Sequence, residues 1–317
     1  MNFETIEKAY QLILENSQLI QNDLKTHFYD ALIEHNSFYL GAPGASQQVA
    51  ASIERLKALE LTKEEWRRAY QFIFIKAGQT EQLQANHQFT PDAIGFIILH
   101  ILETLSHSDA IDLLEIGSGT GNLAQTILNN SQKTINYLGV EVDDLLIDLS
   151  ASIAEIMESS ARFIQEDAVR PQILKESDFI LSDLPVGFYP NDAIAKRYQV
   201  ASHEEHTYAH HLLMEQSLKY LKKGGYAVFL APANLLTSSQ SPLLKAWLKD
   251  YAQVAAVMTL PDNIFGNKSN VKSIVILQKQ TETPTETFVY PIRDLKNRDN
   301  IRDFMQKLKK WKLDNAI

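Results

Sequence analysis

Hydrophobic positions fall into two regimes along this chain. Up to about residue 84 they recur at helical spacing, as in Ile6, Tyr10, Ile13 and Leu14, and again in Leu24, Phe28 and Leu32. From Ile111 onward, short apolar runs alternate with helical stretches. Residues 111–116, 135–141, 162–167, 178–183, 226–232, 254–260 and 273–277 are too short for helices and are centred on apolar residues, the pattern of buried strands. Helices are predicted between them, at 92–105, from Asn122, at about 208–221 and at 243–251. This alternation predicts an α/β fold, a doubly wound and mostly parallel sheet, preceded by an N-terminal helical domain.

Punctuation residues divide the chain further. Gly41-Ala-Pro-Gly44 breaks the helical region, and Thr62-Lys-Glu-Glu65 is a capping box opening a helix with Trp66, Tyr70 and Phe74. Arg67-Arg68 beside those aromatics reads as a solvated face in preference to a nucleic-acid contact. Thr90 is the expected N-cap, and Pro91 the first helical residue, of the helix at 92–105. Lys222-Lys-Gly-Gly225 reads as a basic helix end with a glycine stop. Thr281-Glu-Thr-Pro-Thr-Glu286 is linker-like, and 299–313 is a basic amphipathic helix expected to dock on the body. The expected domains are 1–84, helical; 85–280, the α/β body; and 281–317, a C-terminal strand and helix extension.

The chemistry concentrates at one turn. Ile111-Asp-Leu-Leu-Glu-Ile-Gly-Ser-Gly-Thr-Gly121 runs from a buried strand through glycines at 117, 119 and 121 into a helix. That is the first βα unit of a nucleotide-binding sheet, with the helix N-terminus aimed at a ligand. A dinucleotide fingerprint needs its third glycine at position 122, which is Asn122, so that reading fails. Glu141 closes the next strand, about 20 residues on, where a ribose-binding acid belongs. Asp143 and Asp144 read as first-turn helix charges. Asp167 and Asp183 close the third and fourth runs, so that carboxylates recur at strand ends in successive units.

An acid two places before Gly-x-Gly-x-Gly resembles motif I of the class I S-adenosylmethionine methyltransferases. The resemblance implies S-adenosyl-L-methionine as cofactor, held by Glu115, Gly117, Gly119, Gly121, Glu141 and Asp167. Thr90-Pro91, just upstream, resembles the cofactor-contacting Thr-Pro of amino-type DNA methyltransferases. Asp183-Leu-Pro-Val186 stands where that group carries Asp/Asn-Pro-Pro-Tyr/Phe. The implied catalytic residues are Asp183, Leu184 and Pro185, whose carboxylate and carbonyl would accept the two N–H bonds of an amino nitrogen. Val186 replaces the base-stacking aromatic, and Phe188 or Tyr189 is its expected substitute in substrate binding.

Over about residues 85–279 the chain is similar to modification subunits of type I restriction systems and related adenine-specific methylases. The segments 218–232 and 260–265 share in this likeness, and Asp-Leu-Pro-Val-Gly-Phe-Tyr-Pro resembles a small stand-alone bacterial group of such proteins. The implied activity is methyl transfer to an amino nitrogen, foremost adenine N6 in DNA. Methylation of protein or RNA, and a silent cofactor-binding partner protein, are the alternatives.

Composition narrows this picture modestly. A net charge of −9 disfavours wrapping duplex DNA by charge alone, while allowing a local basic groove. The absence of cysteine excludes disulfides and thiolate metal sites, and no metal is expected. Met-Asn-Phe-Glu-Thr-Ile-Glu lacks a signal-peptide pattern, and no apolar run approaches a membrane span, so a cytoplasmic setting is expected. DNA is the expected partner, and homo-oligomerisation is left open.

Overall fold

The structure, a computed structural model, describes residues 2–79, 90–264, 271–279 and 285–315. In chain order its elements are α1 (Phe3–Leu24), α2 (Phe28–Tyr39), α3 (Gln47–Lys57), α4 (Lys63–Ala77), α5 (Asp92–Leu105), β1 (Ala110–Ile116), α6 (Asn122–Asn130), β2 (Thr134–Glu141), α7 (Asp144–Ile156) and β3 (Arg162–Gln165). There follow β4 (Ser177–Asp183), α8 (Asp192–Ala195), α9 (Ala209–Lys219), β5 (Leu221–Pro232), α10 (Ser241–Tyr251), β6 (Ala252–Thr259), β7 (Lys272–Lys279), β8 (Phe288–Pro291) and α11 (Arg298–Asp314). Two units form: Met1–Phe89, Gly119–Asn130 and Glu141–Gln165 in one, and Thr90–Ser118, Ser131–Val140 and Glu166–Ile317 in the other.

The first unit is built on helical spacing. Ile6, Ala9 and Ile13 of α1 share a core with Tyr29 and Leu32 of α2, Trp66, Tyr70 and Ile73 of α4, and Leu149 and Ile153 of α7. Positions three, four and seven apart put these side chains on one face of each helix. The Thr62 capping box forms as expected: its hydroxyl accepts from the Glu65 N–H at 3.3 Å, and Glu65 accepts from the Thr62 N–H at 3.1 Å. Arg67 departs from expectation. Its side chain is 1% exposed, neither a solvated face nor a nucleic-acid contact. Its guanidinium binds both oxygens of Glu64, at 2.8 and 2.7 Å, and reaches Asn122 at the start of α6, at 3.4 Å. A cation that deep is tolerated because it is paired and hydrogen-bonded.

The second unit carries a sheet of order β2-β1-β4-β5-β7-β6-β8. The pairs β2–β1, β1–β4, β4–β5 and β6–β8 are parallel, and only β7 runs antiparallel to its neighbours. The mostly parallel sheet of the sequence reading is therefore present. α11 docks within this unit through buried Phe304, Leu308 and Trp311, with the Lys312 ammonium on the Thr104 carbonyl at 2.6 Å. The glycine stop at 224–225 is corrected. α9 ends at Lys219, and Lys222-Lys-Gly-Gly225 lies inside β5, opposite a shift of register in β4. Pairing with a buried neighbouring strand overrides the local signal of a basic, glycine-terminated helix end. Most of the linker-like segment, 281–284, lies outside the described residues. Among the described residues no helix is long and apolar enough to cross a membrane.

Gly121 shows how the glycine turn is fitted to the first unit. Its φ is +75°, and a Cβ there would stand 3.1 Å from the Phe163 ring and 3.3 Å from the Ser150 Cβ. Both the left-handed backbone and the lack of space require glycine. Gly121→Ala is expected to lower the unfolding free energy by about 1–3 kcal/mol, measured as a lower denaturant midpoint at unchanged m-value.

Candidate active site

Asp183 is the last residue of β4, and the sheet continues one residue beyond it. The Leu184 N–H donates to the Leu230 carbonyl of β5 at 3.0 Å, so the turn proper begins at Pro185. A carboxylate left half-buried at a strand end needs donors, and the second unit supplies two. The Thr90 hydroxyl donates to Asp183 Oδ2 at 2.8 Å, and the Lys272 ammonium forms an ion pair with Oδ1. The same ammonium donates to the Leu184 carbonyl at 3.1 Å. Lys272 opens β7, paired across from Pro232 of β5. One nitrogen thus sits on a carboxylate and a backbone carbonyl at once.

Thr90 does not cap α5. The capping slot holds Pro91, at φ −59° and ψ 140° and without a side-chain bond, and the helix starts at Asp92. Thr90 lies one residue outside the cap position, and its hydroxyl goes to Asp183 instead.

The turn after Asp183 is tied to the segment before α9. Phe188 bridges Tyr208, the Tyr189 N–H donates to the Thr207 carbonyl at 2.9 Å, and the Ala209 N–H to the Gly187 carbonyl at 2.9 Å. The Phe188 ring stacks on Tyr208 with centroids 4.8 Å apart, and Tyr208 stacks on His210 at 5.0 Å. Val186 and Phe188 are 44% and 51% exposed, whereas Tyr189 is 8% exposed. The Tyr189 hydroxyl donates to Asp167 Oδ2 at 2.6 Å, and burial together with that bond pushes its pKa up to about 12. Of the two aromatics expected to stand in for the motif's ring, Phe188 is the one with open surface.

Tyrosine hydroxyls and backbone N–H groups donate to the remaining acids. In the second unit, Glu115 is 2% exposed and accepts from the Tyr137 hydroxyl of β2 at 2.5 Å. Asp167 also accepts from the Val169 N–H at 3.0 Å, with the Arg170 guanidinium at 3.4 Å as an exposed exception. The N–H groups of Gly117 and Ser118 both donate to the Val140 carbonyl, at 2.8 and 3.1 Å. In the first unit, Glu141 is 5% exposed, and its Oε2 accepts from the Gly119 N–H at 2.9 Å. Its Oε1 accepts from the N–H groups of Val142 and Asp143, at 2.8 and 3.1 Å. Asp143 caps α7 by accepting from the Leu146 N–H at 3.2 Å, which leaves it a structural role.

The model of the N-6 DNA methylase family matches residues 63–315, well over half of the chain. The chain belongs to the N-6 DNA methylase family. It is 32% identical, over 98% of both chains, to YtxK of Bacillus subtilis, itself uncharacterised. A Listeria monocytogenes protein, provisionally described as a class I S-adenosylmethionine-dependent methyltransferase, superposes with a TM-score of 0.89 at 28% identity, over 98% of this chain and 99% of that one. A type I restriction-modification methyltransferase subunit from Streptococcus thermophilus shares the fold, with a TM-score of 0.67 at 16% identity, over 95% of this chain and 74% of that one. As a family member the chain is an S-adenosylmethionine-dependent N-methyltransferase, and S-adenosylmethionine is its cofactor.

The residues present fit such a cofactor. Gly117 has a φ of +72° with open space where a Cβ would be, so a ligand can approach the backbone there. Ser118 Oγ is buried without a partner among the described residues, leaving a polar atom for a ligand. Glu115, fixed by the Tyr137 hydroxyl, is a carboxylate of the kind that suits a sulfonium cation. Among the described residues no cluster is arranged to hold a metal.

Sequence reasoning missed Lys272, Tyr137, Tyr208 and His210. A lone lysine at a strand start carries no local signal, and only the register of β7 on β5 brings it to Asp183. His210 and His211, 4% and 0% exposed, follow that turn on α9. Burial lowers their pKa values to about 4 and about 3; for His210 a bond to the Pro185 carbonyl opposes this and the Lys272 charge adds to it, while His210 itself lowers His211. Both are neutral at pH 7. Their folded values lie below the unfolded value of 6.5, so the unfolded chain binds more protons once the pH falls beneath it. Stability is therefore fully present above about pH 6.5 and is lost on acidification toward 4, at up to roughly 1.4 kcal/mol per histidine per pH unit. Denaturant titrations from pH 7.5 to 5 should show that loss, and replacing His211 by Leu should flatten the slope.

Proposed function

We propose that this chain methylates the N6 amino nitrogen of adenine in DNA. The observation that carries the reading is the meeting of Asp183 Oδ1 and the Leu184 carbonyl on one nitrogen, that of Lys272. An adenine amino group brings two N–H donors, and a carboxylate with a carbonyl is a matching pair of acceptors. Accepting both would draw the nitrogen toward tetrahedral geometry and expose a lone pair otherwise delocalised into the ring. When bound, S-adenosylmethionine supplies a methyl group activated on a sulfonium. The chain's own residues supply position and charge. Thr90 fixes the carboxylate, Asp183 places negative charge beside a nitrogen that becomes cationic, and Pro185 begins the turn.

Phe188 offers an exposed ring for a flipped base, with Val186 beside it, and base–aromatic stacking contributes about 1–3 kcal/mol per base. Tyr189 serves by holding Asp167 in place. We assign cofactor contacts, as the family resemblance implies, to Thr90, Pro91, Glu115, Gly117, Gly119, Gly121, Glu141 and Asp167. Residues 85–280 form the catalytic body of this reading, with 1–84 and 281–317 as its extensions. DNA is the partner, and the cytoplasm, where it is accessible, is the setting.

The test is transfer of label from S-adenosylmethionine. Purified protein should label adenine-containing DNA, recovered as N6-methyladenine. Asp183→Ala should reduce that at least ~100-fold, about 2.7 kcal/mol of transition-state stabilisation, with cofactor affinity by calorimetry within about twofold of wild type. Label in RNA or protein but none in DNA would replace adenine in DNA as the substrate. Cofactor binding without label in any macromolecule of the host lysate would leave a silent partner protein.

A further inference from the structure

The acceptor pair assigned to the substrate's amino group is already filled. Lys272 places its ammonium on Asp183 Oδ1 and on the Leu184 carbonyl, the two atoms the incoming amine needs. This is no loosely held surface pair: the lysine side chain is 12% exposed and the Asp183 side chain 18%. The hydrogen bonds of an ammonium to a carboxylate are charge-assisted, whereas those of a neutral amino group are not. An adenine amine therefore competes at a disadvantage for these atoms. The ammonium also cancels the charge of Asp183, the charge that would stabilise a nitrogen turning cationic.

We propose that Lys272 is a specificity-determining gate on the acceptor site, displaced by the substrate amine in each productive complex. This rests on the methyltransfer reading above and deepens it. A small acceptor such as adenosine brings little binding energy beyond its amine and base, and fails to draw the lysine off. A polynucleotide carries phosphates that give the displaced ammonium a new ion pair, so displacement costs it less than it costs adenosine. The gate thus discriminates against free nucleosides, which share the reacting group but not the rest of the substrate.

The experiment uses the full chain with Lys272→Ala and, should that variant not fold, Lys272→Gln. Removing the lysine beyond Cβ leaves a space matching propylammonium, which should raise the melting temperature of Lys272→Ala saturably and leave wild type unmoved. Tetramethylammonium, with no N–H donors, should not substitute, and Asp183→Ala/Lys272→Ala should not respond. No propylammonium effect on Lys272→Ala would overturn the assignment of the ammonium to the acceptor pair. In transfer assays the loss of the lysine should raise kcat/KM for adenosine about tenfold relative to that for an oligonucleotide, the worth of one charge-assisted contact. Propylammonium should reverse the gain in Lys272→Ala.

A drop of tenfold or more in oligonucleotide methylation with cofactor affinity intact would make Lys272 a helper of the reaction and end the gate. An unchanged adenosine-to-oligonucleotide ratio would end it equally. Failure of every form to label nucleic acid counts against the substrate reading instead, and the propylammonium response still decides who occupies Asp183 and Leu184.

Discussion

The carboxylate of Asp183 is the constraint around which the second unit is arranged. A charge held largely out of water at a strand end is costly unless donors are brought to it. Those donors come from far along the chain, Thr90 before α5 and Lys272 at the start of β7. Neither helix nor strand formation requires this convergence. A partly buried ion pair of this kind is weak evidence for stability, because an apolar replacement is often as stable. Its presence at the end of a central parallel strand, where ligands bind in such sheets, is better explained by chemistry.

The donors chosen for each acid separate two kinds of site. Glu115 is held by a tyrosine hydroxyl, Glu141 by backbone N–H groups and Asp167 by a tyrosine hydroxyl and a backbone N–H. Donors of this kind fix a carboxylate in place without adding a charge of their own. Asp183 is held by the Lys272 ammonium, which fixes the carboxylate and offsets its charge together. The first arrangement suits permanent attraction for a sulfonium. The second suits a carboxylate whose charge is wanted only when another N–H donor takes the ammonium's place.

Much of this was legible in the sequence because its signals are local. The strand-glycine-helix unit around Gly117 to Gly121, the capping box at Thr62 and the carboxylates closing successive strands depend on neighbours a few residues apart, and periodicity reports those. What failed was decided at long range. Arg67 looked like a surface cation because its pair with Glu64, three residues back, is equally compatible with exposure, and only the distant contact with Asn122 of α6 marks it as buried. Thr90 looked like a cap because the capping signature is the same whether the hydroxyl faces the helix or Asp183. Lys222-Lys-Gly-Gly225 looked like a helix end because the pairing of β5 with β4 is invisible locally. Lys272 had no signature at all.

The altered motif raises the question of whether the corner keeps its shape without an aromatic at position 186. The contacts indicate that its shape never depended on that ring. Backbone bonds from Tyr189 to Thr207 and from Ala209 to Gly187 pin the turn on both sides, and the Phe188–Tyr208–His210 stack lies alongside. His210 returns to the turn through the Pro185 carbonyl, so the stack is anchored next to the Leu184 acceptor. Val186 in place of an aromatic forgoes a stacking surface at one position, while the orientation of Asp183 and Leu184 is set by the sheet and by this anchored ladder. With Phe188 half exposed at the ladder's outer end, a planar substrate has a ring to lie against two residues further along the turn. On the proposed reading, the substitution moves the stacking surface and spares the geometry on which methyl transfer to an amine depends.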